Sequence, residues 1–393
     1  MKRTILAFCA FAIWLAADSR SSADPSLAPV TIWPDPDGRL YLRSQGIEPV
    51  QYSAPATIAP AAPQPSPFIS TTPALGQPAL AAPVAVTPFD PYGPQPVAVA
   101  ALPDFWFASA DVSVLRIDRP RQQIVAIDQN TLGPILTTDD LKIEEDQPGI
   151  RAAIGRQFNN VFTGEAVYFG LYHWSDKQYS RGADNNLRLP GDVGLALNDF
   201  FGADQMSEYY SVRLNNAEFN GWYNFNERFF AVMAGFRYIQ LVEKFTINAI
   251  DSNGDSSDYQ VRARNNLFGG QIGAQLSGKL GDLEVALVGK AGVYDNEAEQ
   301  TTTLFDNNNQ FQIRNSMTTG SHLAFAGDLA LNGRVRLADS LFLEGGYFLM
   351  WLTDLARAPD QLDFTDTPAS GTALVSNGRA FLHGANLGLE ARW

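Results

Sequence analysis

The 393-residue sequence predicts an all-β chain: a transmembrane antiparallel up-and-down β-barrel of about ten strands (10–12), set behind a Pro-rich disordered segment. Three observations carry this. The chain ends on an alternating ribbon with an aromatic last residue, its connections alternate long and short, and no run of about 18 apolar residues offers a helical span. Read back from Trp393, Ala391, Leu389, Leu387 and Ala385 are apolar, whereas Arg392, Glu390, Gly388, Asn386 and Gly384 are polar or lack a side chain. A period of two puts the two sets on opposite faces of a strand. Alternation alone suits a soluble sandwich equally well. A terminal aromatic suits a barrel strand that stops in the aromatic girdle of a membrane interface.

At the start, Met1-Lys2-Arg3 precedes an apolar run from Ile5 to Ala17, followed by small and polar residues. That is the pattern of a secretory signal peptide, expected over 1–23 with cleavage after Ala17 or Ala23. The run is too short to cross a bilayer as a helix. Cys9, the single cysteine, lies inside it, so the mature chain is expected to have no disulfide, no thiolate nucleophile and no Cys-ligated metal. Without residues 1–23 the chain keeps 25 Lys and Arg against 41 Asp and Glu, a net −16 where the whole sequence has −14. That balance argues against nucleic acid, or an anionic membrane surface, as a partner.

Residues 24–104 hold 18 of the 24 prolines. At this density the backbone lacks the donors that sheets and helices need, so an extended, polyproline-like, disordered periplasmic linker is expected. Gly38-Arg39-Leu40-Tyr41-Leu42-Arg43 is a candidate isolated strand after the turn at Trp33-Pro34-Asp35-Pro36-Asp37-Gly38.

The barrel is expected over 105–393. Ten segments read as strands, near 105–116, 149–157, 162–174, 207–224, 228–243, 259–279, 282–297, 319–337, 340–353 and 380–393. Leu283, Val285, Leu287, Ala291 and Val293 share one face, with Glu284 and Lys290 on the other. Leu323, Phe325, Leu329, Leu331, Val335 and Leu337 oppose Asp328, Asn332, Arg334 and Arg336, and Phe230, Val232, Ala234, Phe236 and Tyr238 oppose Ala231, Gly235 and Arg237.

Short connections fall at Asn159-Asn160, Asn224-Phe225-Asn226-Glu227, Leu280-Gly281 and Ala338-Asp339, all carrying turn-forming residues. Long polar ones fall near 117–148, 175–206, 244–258, 298–318 and 354–379. A sandwich has no reason to sort connection length by end. An outer-membrane barrel does, with short periplasmic turns and long external loops. It follows that the strand number is even and that the last strand closes on the first, 105–116. Closure leaves no backbone group unpaired in hydrocarbon, where each costs several kcal/mol. Gly269, Gly270, Gly273, Gly345 and Gly346 within strands suit a curved sheet. Trp222, Tyr223, Trp351 and Trp393 are candidate membrane-interface residues, and Trp393 a candidate assembly residue.

Several stretches resemble a known family, the outer-membrane β-barrel, porin-like family expanded in planctomycete bacteria. They are Glu165-Ala166-Val167-Tyr168-Phe169-Gly170-Leu171, Ala234-Gly235-Phe236-Arg237-Tyr238, Asn265-Asn266-Leu267-Phe268-Gly269-Gly270-Gln271-Ile272-Gly273, Gly289-Lys290-Ala291-Gly292-Val293-Tyr294 and Ala358-Pro359-Asp360-Gln361. The hairpin from Phe325-Ala326-Gly327-Asp328-Leu329 to Gly345-Gly346-Tyr347 is similar as well. The resemblance covers about 105–393 and implies an outer-membrane barrel; it brings no catalytic residue. The terminal aromatic strand also resembles the signal that barrel-assembly machinery reads in outer-membrane proteins generally.

No glycine-flanked nucleophile or paired-His spacing suggests an enzyme. His173, His322 and His383 are expected as solvated rim residues, with Asp176 or Asp328 the partners a hydrolase would need. Asp251-Ser252-Asn253-Gly254-Asp255 resembles the start of a calcium loop, but its glycine is fourth rather than sixth, so a surface loop is expected and no metal or cofactor. The better functional candidates are charges expected to face the lumen: Arg237, Glu284, Lys290, Asp328, Arg334, Arg336, Glu344, Glu390 and Arg392. They either pair across a narrow lumen or line a wetted channel and set its selectivity. The function expected is a porin-like passive channel for ions or small solutes in the outer membrane. Its partners would be outer-membrane lipid and the barrel-assembly machinery. The alternative is a non-conducting structural or surface-recognition barrel acting through its loops.

Overall fold

The computed structural model describes residues 31–34, 40–43, 104–143, 146–158, 161–182, 186–194, 198–225, 229–306 and 310–393. The expected leader and most of the Pro-rich segment lie outside these. Within the latter, β1 (Thr31–Pro34) and β2 (Leu40–Arg43) pair antiparallel, Thr31 opposite Arg43, so the candidate strand near 38–43 is one arm of a hairpin rather than isolated. The chain divides into two units, Met1–Pro91 and Tyr92–Trp393. The second holds the barrel.

In the second unit come β3 (Phe105–Ile117), β4 (Ile124–Asp128), β5 (Pro134–Thr137), β6 (Gln147–Phe158), β7 (Phe162–Arg181), β8 (Leu187–Arg188) and β9 (Phe201–Ala203). They are followed by β10 (Gln205–Phe225), β11 (Phe230–Ile250), β12 (Ser256–Leu280), β13 (Leu283–Asp306), β14 (Phe311–Ala338), β15 (Leu341–Leu355) and β16 (Gly378–Arg392). Ten of them, β3, β6, β7 and β10 to β16, close a barrel in chain order, each pair antiparallel. They correspond one to one with the ten expected segments. The closing seam is β16 on β3, from Leu382 opposite Ile117 to Arg392 opposite Phe107. Trp106 and Trp393 finish it by exchanging backbone bonds of 2.8 and 2.9 Å. Gly388 is required there: a Cβ would sit 2.0 Å from Asp111 Oδ1 and 2.4 Å from Ala110 O.

Two expected long loops are strands. β11 runs on to Ile250 and β12 starts at Ser256, leaving only 251–255 between them; β13 reaches Asp306 and β14 starts at Phe311. The physical reason lies in the two faces. Along 240–250 the inward residues Leu241, Phe245, Ile247 and Ala249 stay apolar and buried, while the outward Gln240, Lys244, Thr246 and Asn248 turn polar. Period-two pairing therefore continues beyond the point where the outer surface changes character. At 251–255 the Asp251 carboxylate accepts the backbone N–H of Asn253 (2.8 Å) and of Asp255 (2.9 Å), a self-contained surface turn.

Three connections remain long. Those at 118–146 and 182–204 together build the four-stranded sheet β5-β4-β8-β9. The third, 356–377, turns inward.

The faces sort cleanly. The outward face of the half nearer the short turns is an apolar belt, with Phe219 (67% exposed), Phe236 (75%), Ile272 (69%), Leu323 (73%) and Leu387 (61%). The large buried core lies inside the other half, where inward side chains of the long strands meet residues of the inward segment and of the four-stranded sheet.

Candidate functional site

The lumen is filled at two levels, and both use inward positions of the long strands. At the level of the apolar belt, even residues of β10, β13 and β14 and odd residues of β11 point inside. Arg237 on β11 reaches past two strands to Asp328 on β14, with Nη1 donating to Oδ2 at 2.5 Å and Nε donating to Asn216 Oδ1 at 2.6 Å. Lys290 on β13 likewise reaches Glu218 on β10 at 2.6 Å. Glu218 also accepts from Asn216, Asn220 and Gln271, each at 3.0 Å, and lies 3.7 Å from Arg237. Every polar group of this cluster therefore has a partner, which is what makes a buried charge tolerable. Arg237 and Glu218 are 5% and 4% exposed, so the centre of the cluster is buried, while the Lys290 and Asp328 side chains stay partly exposed.

Toward the short-turn end a second group surrounds Arg334. It pairs with Glu284, with Glu390 at 3.1 Å and, at 3.8 Å, with Glu344. Arg392 donates to Glu390 at 2.5 Å, and its guanidinium stacks on Phe342. Arg336 has inward parity but lies at the mouth, its side chain 59% exposed and bonded to Asp339 at 3.0 Å. It belongs to the 338–341 turn and not to the lumen cluster, because the last pair of β14 and β15 is reached through a register shift.

The tryptophans differ. Trp393 and Trp351 are outward, 52% and 39% exposed, with Trp351 edge-on to Phe381. Trp222 is not a membrane-interface residue: it is 8% exposed and donates Nε1–H to Glu165 at 2.9 Å inside the barrel. It shares the parity of Glu218 and Asn220, and the aromatics facing out at that strand end are Tyr223 and Phe225. His322 also turns inward, donating from Nε2 to Asp354 O at 2.8 Å, rather than standing solvated on the rim. His383 faces out and meets the Tyr347 hydroxyl at 2.6 Å.

The upper level was invisible in the sequence. After Thr353 the register of β15 shifts and Asp354 takes φ 58°, which bends the chain into the barrel. Residues 356–377 then bond to inward side chains around the wall. Asn265 on β12 makes a reciprocal pair with Ala356 at 2.8 Å each way. Gln300 on β13 and Ser316 on β14 both donate to Gly371 O at 2.6 Å. Arg314 on β14 donates to Asp363 O at 2.7 Å.

The anchor of this segment is Arg357, 2% exposed. Its Nε donates to Glu243 Oε1 on β11 at 2.6 Å, Nη2 donates to the Tyr210 hydroxyl at 3.0 Å, and Nη1 donates to Arg379 O. The other Glu243 oxygen accepts Ala358 N–H at 2.8 Å. Burial works against the Arg357 charge, but Glu243, with Tyr210 and Asp118, outweighs it and holds the guanidinium above its ordinary value. The four-stranded sheet covers the inward segment; Gly191 approaches so closely that a Cβ would lie 2.2 Å from Phe364 O. Glu208, above the belt and fully buried, has neither carboxylate oxygen bonded. Burial chiefly, then Asp140 and Asp176, push its pKa up to about 9.

This arrangement can seal a passage. Sequence reasoning missed Glu218, Glu243 and Arg357. The alternation of β10 and β11 marks the two glutamates as inward, but nothing local marks Arg357.

No curated protein matches the chain. In structure it is similar to the outer membrane protease OmpT from Escherichia coli (12% identity over 73% of this chain and 97% of that one, TM-score 0.38). It is also similar to the translocator domain of the autotransporter NalP from Neisseria meningitidis (8%, 73% and 88%, 0.31) and to a Pseudomonas aeruginosa FadL homologue (10%, 74% and 90%, 0.30). Likenesses of this strength carry no functional argument. Residues 200–393, which hold β10 to β16 and the inward segment, match the family model described as Putative beta barrel porin-7 (BBP7), while β3, β6 and β7 lie outside that match.

Proposed function

We propose that the protein is an outer-membrane β-barrel and a porin-like passive channel for ions or small solutes, held shut in this form by the segment 356–377 and, below it, by the cluster around Arg237 and Glu218. The membrane reading rests on the apolar belt. From Leu283 to Val293 the outward face of β13 is apolar or glycine. Ten steps at about 3.3 Å are about 33 Å along the strand, and a tilt of about 40° reduces this to about 25 Å, the height of the band that such barrels present to lipid. Outer-membrane lipid and barrel-assembly machinery would be its partners, with Trp393 at the terminal assembly strand.

The observation that carries the channel reading is the form of the closure. The upper seal is one chain segment tied to the wall by side chains and is able to leave without breaking a strand pair. The alternative, a non-conducting barrel acting through its external sheet and turns, is favoured by the largely buried Arg237–Asp328 and Lys290–Glu218 pairs, which fill the lumen below it.

Planar-bilayer conductance separates the two. The parent protein is expected to be silent or nearly so, and steady conductance is expected once both levels are cleared, by a short glycine-serine bridge in place of 359–376 together with Glu218→Ser, Arg237→Ser and Asp328→Ser. Neutralising Glu284 and Lys290 in that background should change cation-over-anion selectivity. A variant cleared at both levels that inserts and remains silent would remove the channel reading and leave the structural one.

A further inference from the structure

The net negative charge hides a local reversal. Just above the apolar belt, on the outward face, Arg213 on β10, Lys244 on β11, and Arg262 and Arg264 on β12 lie side by side. The register makes this explicit: Lys244 is directly opposite Arg262, and Val242 is opposite both Arg213 and Arg264. With strands about 4.8 Å apart, the four fall within a patch of about 10 Å. Like charges directly opposite each other destabilise a sheet, and none of the four has an ion-pair partner among the described residues. Arg264 Nε is closed off from solvent and unbonded. The outward acids beside them on β13 are Glu299, opposite Arg264, and Glu297, opposite Asn266 and nearer the belt, so four cations stand against two carboxylates and the patch keeps a net positive charge.

A second, independent feature lies directly below. A groove of about 930 Å³ runs across the outward face of the same strands, with Phe219, Phe236 and Ile272 as walls and Gly221, Gly270 and Ala291 as floor. Small and large residues alternate across the register, Gly270 between Phe236 and Val293 and Ala291 beside Ile272, so the floor is continuous. Between groove and patch runs a row of hydrogen-bonded polar side chains, Asn215, Gln240, Tyr238 and Asn266, of the kind found where hydrocarbon gives way to headgroups.

We propose that this face holds a phosphorylated lipid of the adjoining leaflet, its headgroup phosphate on Arg213, Lys244, Arg262 and Arg264 and an acyl chain in the groove below. This rests on the membrane reading given above. Charge complementarity selects the occupant. A second copy docked by a two-fold through this face would set cations against cations, and a free anion has no use for the groove. Long cationic side chains above a belt reach headgroups without leaving their aliphatic stems in water.

The full chain in detergent micelles, titrated in turn with cardiolipin, with phosphatidylcholine of the same acyl chains and with inorganic phosphate, and read by native mass spectrometry, tests this. Cardiolipin is expected to be retained in preference to phosphatidylcholine, and inorganic phosphate is expected not to displace it. Arg262→Ser with Arg264→Ser should weaken cardiolipin about tenfold or more and weaken phosphatidylcholine, whose single phosphate is offset by choline, much less. Ala234→Leu with Ala291→Leu, which fills the groove and alters no charge, should weaken both lipids. Equal retention of the two lipids, indifference to the arginine variant, or displacement by inorganic phosphate would each overturn the proposal. Insertion into phosphatidylcholine vesicles is measured alongside: loss of preference with insertion intact refutes the lipid site alone, whereas failure to insert refutes the membrane reading. Strand content by circular dichroism shows that each variant has folded.

Discussion

Replacing Glu243 by leucine should release the inward segment. In the parent, Arg357 is shielded from water and its charge is met by Glu243, whose second oxygen holds Ala358 N–H. Removing one member of a buried pair costs about 3–5 kcal/mol, because the other charge stays buried and unmatched. That cost falls only on the state with the segment inside; once it leaves, Arg357 is solvated. At about 1.4 kcal/mol per tenfold, even the lower figure raises the population of the released state about a hundredfold. The assay can use cysteine labelling, because Cys9 is the only native cysteine and Ala358 is wholly buried. Ala358→Cys, with Cys9→Ser, should react slowly with a water-soluble maleimide, and about a hundredfold faster when Glu243→Leu is added. Arg357→Leu added to Glu243→Leu replaces the pair by apolar side chains, a change often neutral or stabilising, and should slow the reaction again. A labelling rate that Glu243→Leu does not change, or that the double replacement does not bring back, would refute the latch.

Val232→Lys, outward and level through Ala274 with Gly289 near the middle of the belt, should lower stability in vesicles by about 2–4 kcal/mol, whereas Thr319→Lys, outward and above the belt, should stay within about 0.5 kcal/mol; equal effects in urea titrations would argue against lipid around β11. Glu208 gives a pH signature. With its folded pKa raised to about 9, its contribution to stability is complete below the ordinary carboxylate value and is lost as pH rises through about 9. Glu208→Gln should flatten the decline in thermal stability between about pH 5 and about pH 10, and parallel profiles for parent and variant would show that Glu208 does not titrate there.

The strands were legible because a barrel wall separates two environments, and every residue on it must declare for one. The expected segment near 228–243 contains the whole belt portion of β11, where Phe230, Val232, Ala234 and Phe236 face out and Arg237 faces in. Legibility fell where one environment changed. Above the belt the outward face of β11 and β12 becomes polar, so 244–258 resembled a loop, although Phe245, Ile247, Tyr259 and Val261 keep the inward rhythm. Trp222 was misread for a related reason: its aromatic character suggested the membrane interface, while its parity with Glu218 and Asn220 put it inside. On a strand, parity outranks residue type.

By itself, then, the sequence determined the wall: ten antiparallel strands, the seam from β16 to β3, and the inward charges that a period of two sets apart from the belt. Those are properties of neighbouring positions, and local pattern carries them. Only the tertiary structure decided what fills the wall. Glu243 meets Arg357 across 114 positions, Arg237 meets Asp328 across 91, and Lys244 meets Arg262 in an outward patch. Each of these depends on ring closure and on where the chain bends inward at Asp354. No local period encodes such distances, since the partner of a charge in a closed barrel is set by the curvature of the whole sheet.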